Sequence, residues 1–302
     1  MSYLFLVLAK LASMVKVIAV KNCGTIAKGP KNSIRINLIR SLGCILVGSV
    51  VCIFSGFAPI DKPGIIISVI SGISNATMLF AWILATASAP IYFIEVFCMI
   101  GGVLMPMLLS PFLLDESIGP VQWVGAVLLV FAAFFLSKRG GGRITLKTVL
   151  LATMAGLGNM GSTLTMKLFN IHSIGTVADF QLYTYVVCSV TLALVLLFFA
   201  IYEHYAIKKG SMKPDQKASP IRGKVLIFIG IAIVMMYAAQ YLSTLSAKGV
   251  PAAVFYPLSY VITMPLVYLV DVLIYKERVT ARGIIGIVIV TVSGILINLK
   301  LS

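Results

Sequence analysis

The sequence contains few charged residues and few of the side chains that carry acid–base or metal chemistry. Aspartate, glutamate, lysine and arginine together make up 11% of the 302 residues, 60% are hydrophobic, and histidine occurs only twice. A water-soluble domain of this composition would lack the polar surface needed to cover its core. Its apolar runs also repeatedly reach the ~20 residues that span a bilayer. The composition therefore predicts an integral membrane protein.

Motifs for cofactors, metals and ATP hydrolysis are also missing. The five cysteines have no CxxC spacing, and His172 and His204 are far apart and have no evident partner ligands, so we expect free packing thiols and no metal site. No Gly-x-x-x-x-Gly-Lys-Ser/Thr segment is present, which argues against ATP hydrolysis. We expect no cofactor and no enzymatic activity; a membrane-embedded enzyme is the weakest alternative.

Basic residues outnumber acidic ones by 24 to 9, which gives a formal net charge of +15. Such an excess could indicate nucleic-acid binding, but most of the cations lie between hydrophobic runs. The longest polar stretch, 203–224, lacks the interleaved aromatic platforms of a nucleic-acid groove. The charge therefore indicates membrane topology, with the lipid bilayer and no nucleic acid as a partner.

Hydrophobic runs separated by glycine, proline and charged residues predict ten transmembrane helices. Their expected ranges are 2–22, 33–56, 64–86, 89–113, 119–137, 146–170, 176–202, 223–247, 251–275 and 280–299. Helices are the expected elements because a segment in lipid must satisfy its own backbone hydrogen bonds. The connections are short except for 203–224, so no separate soluble domain is expected.

The ten predicted helices divide into two similar halves, 1–140 and 141–302. A shift of 161 residues brings three pairs into register: Pro90 with Pro251, Glu116 with Glu277, and Gly125 with Gly286. A shift of 146 residues likewise places Val20-Lys21 on Met166-Lys167. Because five is odd, consecutive copies must enter the membrane in opposite directions. Such inverted repeats are typical of secondary transporters.

Two corresponding segments carry a resemblance to a known family. They are Leu114–Ile118 followed by Gln122–Gly125, and Tyr275–Val279 followed by Gly283 and Gly286, with Leu38–Arg40 as a further match. On these segments the chain resembles the EamA-type drug/metabolite transporters over nearly its whole length. The resemblance implies a central cavity enclosed by the first four helices of each half, and substrates such as amino acids, sugars, nucleotide-like metabolites or drugs. The Glu-Pro pair often seen in helix four of that family is absent.

Loop charges and family resemblance give opposite orientations. Most loop cations fall on one side, including those around Lys28, Arg139 and Lys208, whereas the other side has Lys62, Lys248 and Lys300. The positive-inside rule makes the first side cytoplasmic and places both termini outside. The family's usual arrangement has both termini in the cytoplasm.

Ionisable residues inside a bilayer are costly and therefore usually face a cavity or a partner. Lys10 lies about 12 Å into the first helix at 1.5 Å per residue, and Glu95 lies inside the fourth. We predict that the two form a cavity-facing pair, with Glu95 as the proton carrier; a purely structural ion pair is the alternative. Lys16 and Arg40 lie nearer helix ends, where snorkelling to the membrane surface is expected.

Uncharged polar and aromatic residues complete the predicted cavity lining. They are Asn75, Trp82, Asn159, Gln240, Tyr241, Tyr256 and Tyr260. Tyr256 and Tyr260 are one turn apart and flank Pro257, which weakens the helix locally. Packing is the alternative for this pair, and it is the expected role of the small residues Gly156, Gly158 and Gly161.

Together these features predict a secondary transporter of a small polar metabolite in the cell membrane, an exporter or an exchanger, driven by protons, a counter-substrate or the substrate gradient. A non-transporting scaffold or receptor is the main alternative, which the inverted duplication disfavours. The sequence leaves open the substrate, the direction of transport, the coupling ion and whether the protein forms a homodimer.

Cysteine labelling tests the orientation. We expect the loop around Lys208 to Lys217 to be cytoplasmic, because its cations would be retained on that side. A cysteine introduced there, after removal of the native thiols, should resist impermeant thiol reagents in intact cells. Ready labelling from outside would reverse the assignment.

Overall fold

The computed structural model describes residues 1–26, 30–86, 94, 97–136, 145–209, 223–274 and 281–298. All secondary structure in these ranges is helical, and none of it is strand. We number the helices in chain order. They are α1 Ser2–Ile26, α2 Pro30–Ser55, α3 Lys62–Thr86, α4 Phe97–Leu113, α5 Pro120–Leu136, α6 Leu146–His172, α7 Val177–Lys208, α8 Lys224–Gly249, α9 Ala252–Leu273 and α10 Ala281–Asn298.

The helix ends differ from the sequence expectation mainly where polar residues continue a helix beyond its apolar run. Helix α1 continues past Lys21 to Ile26, and α7 continues past Tyr202 to Lys208. Helix α2 begins at Pro30, before the predicted start, since proline fits the first turn of a helix. The predicted cytoplasmic residues Lys213 and Lys217 lie outside the described residues.

Six helices of the described part are long and apolar enough to cross a membrane: α1, α2, α3, α7, α8 and α9. Helices α4, α5 and α10 are apolar but shorter. Helix α6 has 27 residues but is not among the six, because Asn159, Ser162 and Lys167 and other polar residues interrupt its apolar sequence. These lengths and compositions indicate a membrane protein.

Five helix pairs make the most extensive contacts. Helix α1 packs along α8, α3 along both α6 and α7, α5 along α10, and α2 along α7. Helix α6 also contacts α4 and α8, and α9 contacts α4, α5 and α10. A large cluster of buried apolar side chains joins these elements and includes Met99 and Met107 of α4, Leu129 of α5, Phe169 of α6 and Phe255 of α9.

Small residues let α6 lie very close to its neighbours. A Cβ atom at Gly158 would lie 2.5 Å from the backbone N of Met78 and 2.6 Å from the carbonyl O of Ser74, both on α3. A Cβ atom at Gly156 would lie 2.5 Å from the carbonyl O of Phe97. The packing role expected of these glycines is confirmed, and it follows from backbone contacts that no side chain could accommodate.

The connection between α2 and α3 is held to the connection between α6 and α7. The Asp61 carboxylate accepts hydrogen bonds from the Gly64 backbone N–H (3.1 Å) and from Ser173 Oγ (2.7 Å). The bond from Ser173 does most to hold the pKa of the Asp61 carboxyl below its usual range, because it favours the charged form. Asp61 therefore caps α3 and links two connections at one end of the molecule.

A glycine pair tests the close packing of α6. Gly158→Ala should lower the free energy of unfolding by about 1–3 kcal/mol, because the backbone of α3 must move away. Gly230→Ala on α8 is the matched control, since a Cβ atom there meets nothing within 4 Å. Unfolding by SDS in mixed micelles measures both variants. Equal stability of the two would show that α3 and α6 are not in backbone contact.

Candidate functional site

Helix α4 contains an irregular turn at the centre of the candidate site. Residues Ile100–Leu104 are π-helical, and the Met105 N–H donates to the carbonyl of Ile100, five residues earlier. The segment includes Gly101 and Gly102, whose backbones lie close to other helices. Single π-helical turns within α-helices shift the hydrogen-bond register and frequently occur at functional sites. A backbone carbonyl near such a turn can therefore bond to a side chain of another helix instead of only to its own helix.

Three polar groups meet beside this turn, and two of them are residues that the sequence predicted. Asn159 of α6 donates through Nδ2 to the carbonyl O of Cys98 (2.7 Å) and to the hydroxyl of Tyr260 on α9 (2.6 Å). The Tyr260 hydroxyl in turn donates to the carbonyl O of Cys98 (3.2 Å). We call Asn159, Tyr260 and the Cys98 carbonyl the polar triad. It links α4, α6 and α9 by side-chain hydrogen bonds.

Glycine at position 102 makes room for the polar triad. A Cβ atom there would collide with Asn159 Nδ2 and lie 2.8 Å from the Tyr260 hydroxyl. The triad uses both N–H donors of Asn159 but leaves its carbonyl oxygen Oδ1 without a donor among the described residues. The site can therefore accept a hydrogen bond from a bound molecule.

Trp82 lies near the triad, whereas Asn75 lies further along α3. The half-buried Trp82 packs against an apolar cluster that includes Cys98 and Ala155. Asn75 is buried, and its neighbour Ser74 faces Gly161 of α6. Trp82 thus borders the same meeting point of α4 and α6 as the triad.

Gln240 and Tyr241 belong to a different part of the molecule, between α7 and α8. The Tyr241 ring stacks on Tyr237, with ring centroids 5.9 Å apart. The backbone carbonyl of Gln240 accepts a hydrogen bond from Gln181 of α7 (3.4 Å). The structure does not bring these two residues together with the triad.

Tyr256 is fully buried, unlike Tyr260. Its ring lies edge-on to Phe255 within the large apolar cluster, and its hydroxyl has no hydrogen-bond partner among the described residues. The two tyrosines therefore have different surroundings, although they are one turn apart.

Lys10 is half-buried on α1, which packs along α8. Glu95 lies outside the described residues, so the predicted pair of Lys10 and Glu95 and the role of Glu95 as a proton carrier stay predictions. The expectation that Arg40 snorkels to the surface is wrong. Arg40 is 3% exposed, because its guanidinium finds acceptors inside the protein. It donates to Asn37 Oδ1 on the same helix (2.7 Å) and to Met236 Sδ on α8 (3.1 Å).

One ion pair was not anticipated from the sequence. Lys167 Nζ of α6 lies 3.0 Å from Glu116 Oε1 in the α4–α5 connection, and the side chains are 6% and 25% exposed. The sequence had marked both positions through the internal duplication, but it could not show that they meet. Residues far apart in the chain come together only through the packing of the helices.

The volume of a cavity does not by itself point to the polar triad as a binding site. A cavity of about 600 Å³ lies between α2, the α2–α3 connection and α7, and is lined by Asp179, Tyr183 and Ser49 among others. None of the described residues predicted for the site lines it. The Asp179 carboxylate accepts hydrogen bonds from the Thr176 hydroxyl and from the Ala58 N–H (3.3 Å), so it ties the start of α7 to the α2–α3 connection.

Comparison with known proteins shows the fold alone. No protein-family model matches the sequence, and no curated protein matches it either. A solved crystal structure superposes with a TM-score of 0.75 over 98% of this chain and 96% of that chain, at 15% sequence identity. The class defined by fold and composition is therefore an all-helical protein with helices able to span a membrane.

A double-mutant cycle tests the polar triad. Asn159→Ala and Tyr260→Phe should show a coupling free energy of about 0.5–1.5 kcal/mol in SDS unfolding, the usual net value of one hydrogen bond. The matched control pairs Asn159→Ala with Tyr256→Phe, which removes a hydroxyl that has no partner among the described residues. The control pair should be additive. Additivity in the first pair as well would contradict the contact.

Proposed function

We propose that the protein is a secondary transporter of a small polar metabolite, with the polar triad as part of its substrate site. The triad carries the proposal. Polar groups inside a membrane protein are costly and tend to mark substrate pathways. Here an amide, a phenol and a backbone carbonyl from three helices meet beside a π-helical turn. Irregular backbone at membrane depth is tolerated where it lines a cavity or is buried in protein.

The pairing of helices supports an arrangement of two inverted halves, 1–140 and 141–302. Suppose that each helix of the first half is exchanged with its counterpart in the second half, α1 with α6, α2 with α7, and so on. The α1–α8 pair then becomes the α6–α3 pair. The same exchange leaves the α2–α7 and α5–α10 pairs unchanged. An approximate two-fold relation of this kind allows the two halves to rock around a shared site and open it to either side. The resemblance to EamA-type transporters is part of the same proposal.

The chemistry of the triad suggests what the substrate presents. Among the described residues no donor reaches Asn159 Oδ1, and the triad itself contains no charged side chain. A substrate bound there would donate an O–H or N–H group, as hydroxyl-bearing and amino-bearing metabolites do. Trp82 and the Tyr260 ring would provide apolar surface beside it. Energy coupling through protons at Glu95, or through a counter-substrate, belongs to this proposal as well.

Transport by purified protein in liposomes tests the proposal. Liposomes preloaded with an unlabelled amino acid, sugar or nucleoside should accumulate the labelled form of at least one of them. Asn159→Ala should raise the half-saturation constant about tenfold, the effect of losing about 1.4 kcal/mol of binding. Tyr202→Phe, at an exposed tyrosine on α7 that does not line the cavity described above, is the matched control and should transport like the native protein.

Two outcomes would oppose the proposal. Binding of a metabolite without accumulation in liposomes would favour a receptor or scaffold. An Asn159→Ala protein with an unchanged half-saturation constant would remove the triad from the substrate site.

A further inference from the structure

Glu116 connects three elements through its two carboxylate oxygens. Oε1 pairs with Lys167 Nζ at 3.0 Å, and Oε2 accepts a hydrogen bond from the backbone N–H of Ala252. Lys167 belongs to α6, Ala252 is the first residue of α9, and Glu116 itself lies between α4 and α5. One side chain therefore ties the end of α6 to the start of α9.

Helix α9 needs a cap that its own sequence does not provide. Pro251 occupies the N-cap position and makes no side-chain hydrogen bond. The first N–H groups of a helix have no partner within the helix, and the N-terminus carries a partial positive charge. The Glu116 carboxylate satisfies the Ala252 N–H and complements that charge. It thus acts as a helix cap supplied from a distant part of the chain.

The ion pair fixes Glu116 in this place. The Lys167 side chain is almost fully buried, so its ammonium group depends on the carboxylate for compensation. Removing one partner of a buried pair leaves an uncompensated charge and is strongly destabilising. The pair therefore opposes rotation of Glu116 away from α9.

Asn159 and Tyr260 of the polar triad lie equally far along their helices from the two residues that contact Glu116. Asn159 precedes Lys167 by eight residues on α6, and Tyr260 follows Ala252 by eight residues on α9. At 1.5 Å per residue, each site residue is about 12 Å along its helix from the contact. A displacement of either helix at Glu116 would therefore change the distance between Asn159 and Tyr260.

We propose that Glu116 is a positioning residue for the substrate site: by capping α9 and pairing with Lys167, it holds α6 and α9 in the register that brings Asn159 and Tyr260 together. The inference rests on the proposed function only in taking the triad as the substrate site. A simpler alternative is that Glu116 and Lys167 act as an ion pair alone, with no role for the Ala252 N–H.

Fluorine NMR without substrate can separate the two. Tyr260 is replaced by 3-fluorotyrosine through amber suppression, and Asn159→Ala defines the signal of a broken triad. Glu116→Ala should move the Tyr260 fluorine signal most of the way toward that of Asn159→Ala. Asp61→Ala is the matched control, because Asp61 also caps a helix, and the groups that donate to its carboxylate belong to Gly64 and Ser173, outside α9 and the triad. It should leave the signal unchanged.

Charge exchange decides between positioning and ion pairing alone. Glu116→Lys combined with Lys167→Glu restores opposite charges, but it places an ammonium group against the Ala252 N–H and the positive end of α9. The signal should therefore stay displaced in the exchanged protein. Recovery of the native signal would overturn the positioning role in favour of the ion pair alone.

Glu116→Gln covers the case in which the alanine variant does not fold. It keeps the side-chain volume and one acceptor oxygen but loses the ion pair, so it should displace the signal in the same direction by a smaller amount. A native signal in every folded Glu116 variant would overturn the proposal. Because the NMR experiment uses no substrate, such a result would not argue against transport. Absence of transport in liposomes would likewise not argue against the positioning role of Glu116.

Discussion

The lack of water in a bilayer is the constraint on which the rest of this structure depends. A buried polar group is costly unless it finds a partner inside the protein, because lipid offers none. Helix α6 shows the consequence most clearly. Asn159 reaches α4 and α9, Lys167 reaches Glu116, and Asn170 donates to the Thr244 carbonyl of α8 (2.8 Å). Helix α6, whose apolar sequence is interrupted by polar residues, is thereby held among other helices.

Close backbone contact supplies the precision that these hydrogen bonds require. Gly156 and Gly158 set α6 directly against α4 and α3, so the position of Asn159 is fixed by backbone atoms. Gly102 then leaves the space that the triad fills. Small residues are useful here because helices in lipid gain little from the hydrophobic effect and associate through packing and hydrogen bonds.

Much of the fold could be predicted from the sequence because lipid permits so few solutions. A run of about 20 apolar residues has to be a helix, and the predicted ranges of α3, α6 and α8 agree with the structure within a few residues. Arg40 shows where this reasoning failed. Its distance from the helix end suggested a route to the membrane surface, but a neighbouring amide and α8 receive its guanidinium. Partners on other helices leave no trace in local sequence.

The sequence by itself determined that this is a helical membrane protein, which segments are helical, and that Asn159 and Tyr260 are polar groups too costly to bury without a reason. These properties depend on composition and on periodicity along one chain segment. Only the tertiary structure decided that those two residues meet at the Cys98 carbonyl, that Tyr241 lies elsewhere, and that Glu116 connects Lys167 with the start of α9. The physical reason is that such contacts join residues separated by 51 to 162 positions, and the crossing of packed helices alone determines which of them come together.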